Sequence, residues 1–181
     1  MGLDTLNITL PEDRTQEGSM SLTVNGEITN LNGGDQVLGK GTTNNGQNPT
    51  RDPMEENGDT PTGEATATYV KDKDENGEFV NPNGTPAENP EGEPSSSLIA
   101  TGRYFILLNP ESGDIKTSNR SSLGIHGGGT SLGENALQAQ QDLVGTRGCL
   151  RVTNQTAAQI ASQIKDANDK NRIFRVIIKT E

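Results

Sequence analysis

A chain of 181 residues with a formal net charge of −10 is long enough for one domain of ordinary size. Its Lys and Arg residues form no cluster, which argues against nucleic acid and against an anionic membrane surface as partners, and no run of 18 apolar residues is present to cross a bilayer. With 28% hydrophobic and 3% aromatic residues, it is expected to build a small core and long loops.

Residues 1–18 read as a strand, "LNITL", followed by a polar link, and residues 19–181 as the main domain. "SLTVNGEITN" predicts a hairpin, because Asn25-Gly26 tolerates the positive φ of a two-residue turn between Leu22, Val24 and Ile28. Residues 31–63 are rich in Gly, Asn, Pro and Thr and predict loop, with one short strand at 36–38. Thr66, Thr68 and Val70 suit a pleated strand. The acidic run Asp72, Asp74, Asn76, Gly77 begins like a calcium loop. Its twelfth position is Asn83 rather than the bidentate Glu that such loops need, so a hairpin turn is the better account. Residues 81–97 are expected to form a mobile excursion, since Pro, Glu and Ser dominate "TPAENPEGEPSSS".

The second half is more apolar. "GRYFILLN" predicts a central strand at 104–108, and "PESGDIKTSNRSS" a loop. "ENALQAQQDLV" can form a short helix with Leu137, Gln140 and Val144 on one face. "TNQTAAQIASQIKDAND" is the strongest helix: Thr153 or Asn154 can cap it, and Ala157, Ile160, Ala161 and Ile164 fall at helical spacing. "RIFRVIIK" closes the chain as a strand. Several strands against one or two helices predict a mainly β, β-rich α+β domain with one main packed helix.

The only histidine is His126 and the only cysteine is Cys149, and each is flanked by glycine. A lone cysteine in a small domain is commonly a buried, inert apolar residue. Beside an imidazole it becomes a nucleophile, because the base removes the proton that a thiol of pKa near 8.5 otherwise keeps at neutral pH. In "TRGCLR", Gly148 would let a substrate carbonyl approach the backbone, where amides could hold an oxyanion. In "IHGGG", the main chain after His126 could accept from the far ring nitrogen and fix its tautomer. One His and one Cys fall short of a zinc set, so no metal is expected, nor any organic cofactor.

These residues carry a family resemblance. "GIHGGG" followed by "TRGCLRVTNQTAAQI" resembles the signature of the L,D-transpeptidase catalytic domain, the YkuD-like fold: His-Gly, a spacer, Ser/Thr-x-Gly-Cys, a small apolar residue, and Arg or Asn. Thr146, Arg147, Gly148, Cys149, Leu150 and Arg151 fit it in order. "TPTG" at 60–63 and "GRYFILLN" resemble the family's segments upstream of the histidine, so the similarity spans about residues 20–180. It implies a β-sandwich or barrel with one main helix and long loops. It also implies that Cys149 is the nucleophile, His126 the base, and the Gly127 carbonyl the group that orients the imidazole. The amides of Gly148 and Cys149 would form the oxyanion hole, with Arg151, Arg147 and Thr146 as substrate-binding residues. Two departures bear on specificity: Arg147 stands where many members have a second His, and nineteen residues separate His126 from Thr146.

The activity so implied is acyl transfer on peptidoglycan stem peptides, with release of a D-amino acid and formation of 3→3 crosslinks or D-amino-acid exchange. Two alternatives stand beside it. One is a carboxypeptidase or endopeptidase on the same scaffold, which as a secreted antibacterial toxin domain would meet an immunity protein. The other is a non-catalytic wall-binding module. The expected location is the periplasm or the cell wall outside the cell. No basic and apolar leader is visible at the start, so export would follow removal of a leader or another route.

Overall fold

A computed structural model describes residues 3–42, 48–69, 96–129, 138–140 and 143–181. The calcium-like run from Asp72 and nearly all of the expected 81–97 excursion lie outside them.

Strand β1 (Asp4–Leu10) alternates strictly, turning Asp4, Leu6, Ile8 and Leu10 inward. It lies inside the sheet, antiparallel to β2 (Gly18–Val24) and parallel to the last strand, β9 (Phe174–Thr180). The β2–β3 turn forms as its sequence requires: Asn25 and Gly26 take φ of 53° and 86° and join β2 to β3 (Glu27–Thr29). Ile28 pairs with Thr23, one step from Leu22, so it falls on the opposite face and is exposed while Leu22 is buried. Strand β4 (Gln36–Val37) returns to pair with β2.

Strand β5 (Gly63–Tyr69) lies between β9 and β6 (Phe105–Ser112). β7 (Gly124–His126) is antiparallel to β6, and β8 (Leu150–Arg151) runs parallel to β7. The sheet order is β3-β2-β1-β9-β5-β6-β7-β8, with β4 attached to β2. Leu38, the residue after β4, exchanges two 2.9 Å backbone bonds with Arg151 of β8. The path that starts beside β2 therefore reaches the far end of the sheet, which curls into a half-barrel. The fold is mostly β with one main helix, as the sequence predicts.

That helix, α3 (Asn154–Asp169), starts three residues after β8. Thr153 is its cap, accepting from the Thr156 amide at 3.2 Å, a bond typically worth about 1 kcal/mol. Its inner face buries Ala157, Ile160, Ala161, Ile164 and Ala167 against the sheet. Each fully buried Ile contributes roughly 1.5–3 kcal/mol of transfer free energy. A charged staple closes the other end of the core. Asp4, fully buried, accepts from Arg172 through both carboxylate oxygens and from the Asn25 amide at 3.0 Å, and Arg172 also reaches Asp166 of α3 at 2.7 Å.

Three local expectations change. The strand predicted at 104–108 runs instead from Phe105 to Ser112, absorbing "PES", and Pro110 is tolerated because it sits beside a register irregularity at Glu64/Ala65. The rest of that predicted loop holds a short helix, α2 (Asp114–Thr117), whose Ile115 is fully buried. Another short helix, α1 (Ser96–Thr101), stands before β6, where the sequence predicts no element. The helix predicted over 134–144 does not form in its described part: residues 138–140 and 143–144 are non-helical, and the remainder, Leu137 included, lies outside the described residues.

Candidate active site

The site is built where β7 and β8 run side by side. Ile125 pairs with Leu150 and His126 with Arg151, which sets Gly124 level with Cys149. Residues two apart on a strand share a face. His126 and Cys149 therefore project from the same face, two register positions apart, a diagonal separation of roughly 7–8 Å at the backbone that an imidazole can bridge. The Gly124 amide faces the sulfur.

His126 is 4% exposed. Its Nδ1 lies 2.8 Å from the Gly127 carbonyl. A carbonyl only accepts, so Nδ1 carries the proton and Nε2 is left as the basic nitrogen. Burial first, and then the Arg151 charge, push the imidazole down to about 3 against the pull of the Gly127 carbonyl. The ring is thus neutral at physiological pH. On its other side the Phe105 ring stacks at 5.4 Å and 15°. Phe105 is also the Cα partner of His126 across β6 and β7. A Cβ on Gly124 would come within 2.6 Å of that ring, so the glycine is what lets Phe105 lie against the imidazole.

Arg151 is 3% exposed and turned inward. Its guanidinium donates to the carbonyls of Gly127, Ala100 (2.8 Å) and Val144 (3.2 Å). The Gly127 carbonyl that orients the imidazole is therefore itself held by Arg151. Arg147 is exposed and lines the cleft in front of Cys149.

Cys149 is half-buried. Its thiol donates weakly to the Ser122 carbonyl at 3.7 Å. Burial pushes the thiol up, opposed by the Gly124 amide and then by the charges of Arg120 and Arg151. A raised thiol beside a depressed imidazole rests as a neutral pair rather than as thiolate and imidazolium. The arrangement suits general-base attack, in which the proton leaves sulfur as the new bond forms.

The loop that carries the cysteine is held by hydroxyls. Thr146 is buried; its Oγ1 donates to the Cys149 carbonyl at 2.6 Å and accepts from the Gly148 amide at 3.1 Å. Thr60, from the "TPTG" segment, donates toward the carbonyls of Gly148 (2.9 Å) and Cys149 (3.2 Å). Of the two amides expected to form an oxyanion hole, that of Gly148 is thus engaged within the loop, while that of Cys149 has no acceptor among the described residues. Gly148 takes φ +100°, and a Cβ there would lie 1.5 Å from Arg120 Nη2. What approaches the backbone at this glycine is therefore a guanidinium.

In front of the sulfur is a cleft of about 300 Å³ lined by Cys149, Arg147, Arg120, Ser121, Ser122, Asn57 and Glu56. That volume is at the lower end for small-ligand sites. Sequence reasoning missed Arg120 and Phe105. In the sequence Phe105 is one more apolar strand residue, and Arg120 sits in a polar stretch that predicts loop, where no spacing marks it. Among the described residues no group of three or more His, Cys, Asp and Glu side chains could hold a metal, and no helix is long and apolar enough to cross a membrane.

The family model of the L,D-transpeptidase catalytic domain (YkuD) matches residues 11–178. No curated protein and no solved structure matches the chain.

Proposed function

The chain belongs to the YkuD family of L,D-transpeptidase catalytic domains, which act on peptidoglycan stem peptides, and from that premise we propose that Cys149 is the nucleophile of an acyl transfer with His126 as its base. The observation that carries the reading is the pairing of β7 with β8. It sets a neutral imidazole, with its Nδ1 fixed by Gly127, on the same face as a half-buried thiol that opens on a cleft.

In the proposed reaction the sulfur attacks the carbonyl of the bond between an L-centre and a D-centre in a stem tetrapeptide, and His126 Nε2 takes the thiol proton. The tetrahedral oxyanion is held by the Cys149 amide. Removing one such donor typically costs about 2.7–4 kcal/mol of transition-state stabilisation. Collapse expels the D-amino acid, whose nitrogen receives the proton from His126, and leaves a thioester on Cys149. An amine of a second stem then attacks the thioester and regenerates the thiol, giving a 3→3 crosslink; a free D-amino acid as the amine gives exchange. Arg151 serves as a positioning residue through Gly127, since its head is buried on carbonyls, and Arg147 as the cation that faces substrate. The reaction would take place where stem peptides are, in the periplasm or the cell wall.

Mass spectrometry of purified muropeptides incubated with the wild type and with Cys149→Ala tests this. Cys149-dependent 3→3 dimers, or stems carrying an exchanged D-amino acid, support the transferase. Tripeptide with free D-amino acid, or severed crosslinks, would replace it with a hydrolase that uses the same nucleophile and water as acceptor. Identical products from both proteins would contradict the assignment of Cys149.

A further inference from the structure

Arg120 belongs to no strand or helix, lies in the stretch between α2 and β7, and among the described residues donates to backbone carbonyls alone. Nη1 donates to Pro53 and Asp59 at 2.8 Å each; Nη2 donates to Gly58 at 3.3 Å and to Arg147 at 3.1 Å. Three of those acceptors belong to the 53–59 loop, and the fourth is the residue just before Gly148. The guanidinium therefore ties two separate parts of the cleft wall together, and it occupies the space that a Cβ at position 148 would need. The backbone around it is unusual as well: Asn119 and Ser122 take φ of 54° and 58°, in the left-handed region that non-glycine residues seldom adopt. Ser122 is also the residue whose carbonyl faces the thiol. Four carbonyls and two left-handed residues are a costly arrangement for a solvated arginine, and they fix its head beside Cys149.

We propose that Arg120 is a positioning residue of the cysteine loop, holding the Arg147–Gly148 segment against the 53–59 loop and keeping a fixed positive charge beside the Cys149 sulfur. The inference rests on the reading of Cys149 as the nucleophile. The charge favours the sulfur anion and any oxyanion formed next to it, and burial of the guanidinium limits the screening that would weaken it in water. The other charged or titratable groups around the sulfur are His126 and Arg151 behind it and Arg147 and Glu56 along the cleft, with Asp59 beside Arg120. Arg151 also acts on the sulfur, after Arg120, but it faces the imidazole as well and depresses it. Arg120 faces the cleft.

The test is the pH dependence of Cys149 alkylation by iodoacetamide, which needs no substrate, in the wild type, Arg120→Gln and Arg120→Lys, with melting temperatures measured alongside. Arg120→Gln keeps a donor and loses the charge, so its alkylation midpoint rises by about one pH unit. Arg120→Lys keeps the charge, so its midpoint stays within a few tenths of the wild type although its melting temperature falls. Glu56 is exposed, so Glu56→Gln should fold normally; by removing the opposing carboxylate it moves the midpoint down. An unshifted midpoint in Arg120→Gln, equal shifts in Gln and Lys, or no movement in Glu56→Gln would each overturn the proposal. The outcome is separable from the proposed function. Wild-type crosslinking together with an unshifted Arg120→Gln midpoint sinks only this inference, and the expected shifts without any acyl transfer sink only that function.

Discussion

Because His126 is buried and neutral, the fold should lose stability in mild acid. The unfolded imidazole takes a proton near pH 6.5, while the folded one does so only near pH 3. Between those values the unfolded chain binds more protons than the folded one, so stability falls as pH falls. From pH 7 to pH 5 the loss from this one group is about 2 kcal/mol, and it approaches about 5 kcal/mol below pH 3, where both states are protonated. Urea denaturation of the wild type and of His126→Asn at pH 7 and pH 5 isolates it, because the carboxylates titrate alike in both proteins and cancel. The wild type should lose about 2 kcal/mol more than the variant over that interval. Parallel losses would mean that the folded ring titrates normally, and the neutral-pair description of the site would fall with it.

Three further substitutions probe separate parts of the account. Gly148→Ala forces a Cβ into the Arg120 guanidinium at φ +100°; a loss of at least about 1–3 kcal/mol in thermal or urea denaturation is expected, together with slower labelling of Cys149. Gly124→Ala displaces the Phe105 ring from the imidazole. Turnover on stem peptide should fall on the order of 10- to 100-fold, and the melting temperature should fall as well, because the same Cβ meets the Ile106 carbonyl at 2.7 Å. Asp4→Ala removes the buried carboxylate from Arg172 at the far end of the core and leaves the guanidinium with Asp166 and the Asn25 side chain. That should cost about 1.5–3 kcal/mol in denaturation while leaving the alkylation rate of Cys149 unchanged in the folded protein.

Local physics made much of this legible from the residues. Asn25-Gly26 announces its turn because few other pairs accept two positive φ values in succession. Helix α3 shows itself through a threonine cap and apolar residues at helical spacing, both of which survive in the fold. The cysteine and histidine stand out because each occurs once, but only the parallel register of β7 and β8 explains how two residues with 22 positions between them come to one face. What stayed hidden depends on contacts between distant segments. Arg120 gains its place from carbonyls some sixty positions upstream, and nothing in "TSNRSS" signals that. Arg151 shows the complementary case. Its position in the motif was visible, but its direction was not: burial sends the guanidinium to Gly127 and Ala100, where the motif alone suggested a role at the substrate. Thr60 similarly belongs to a recognisable segment, yet its bonds to the cysteine loop need the folded chain to be seen. The helix expected over 134–144 had three apolar or long side chains at helical spacing, and spacing alone did not make its described part helical.

The most direct test of the central claim is intact-protein mass spectrometry after rapid mixing with a stem tetrapeptide. The account predicts a transient species heavier by the acyl tripeptide, mapped to Cys149 after digestion, absent from Cys149→Ala and slow to form in His126→Asn. A wild-type protein that turns over stem peptide with no adduct at Cys149, or with the adduct on another residue, would contradict it.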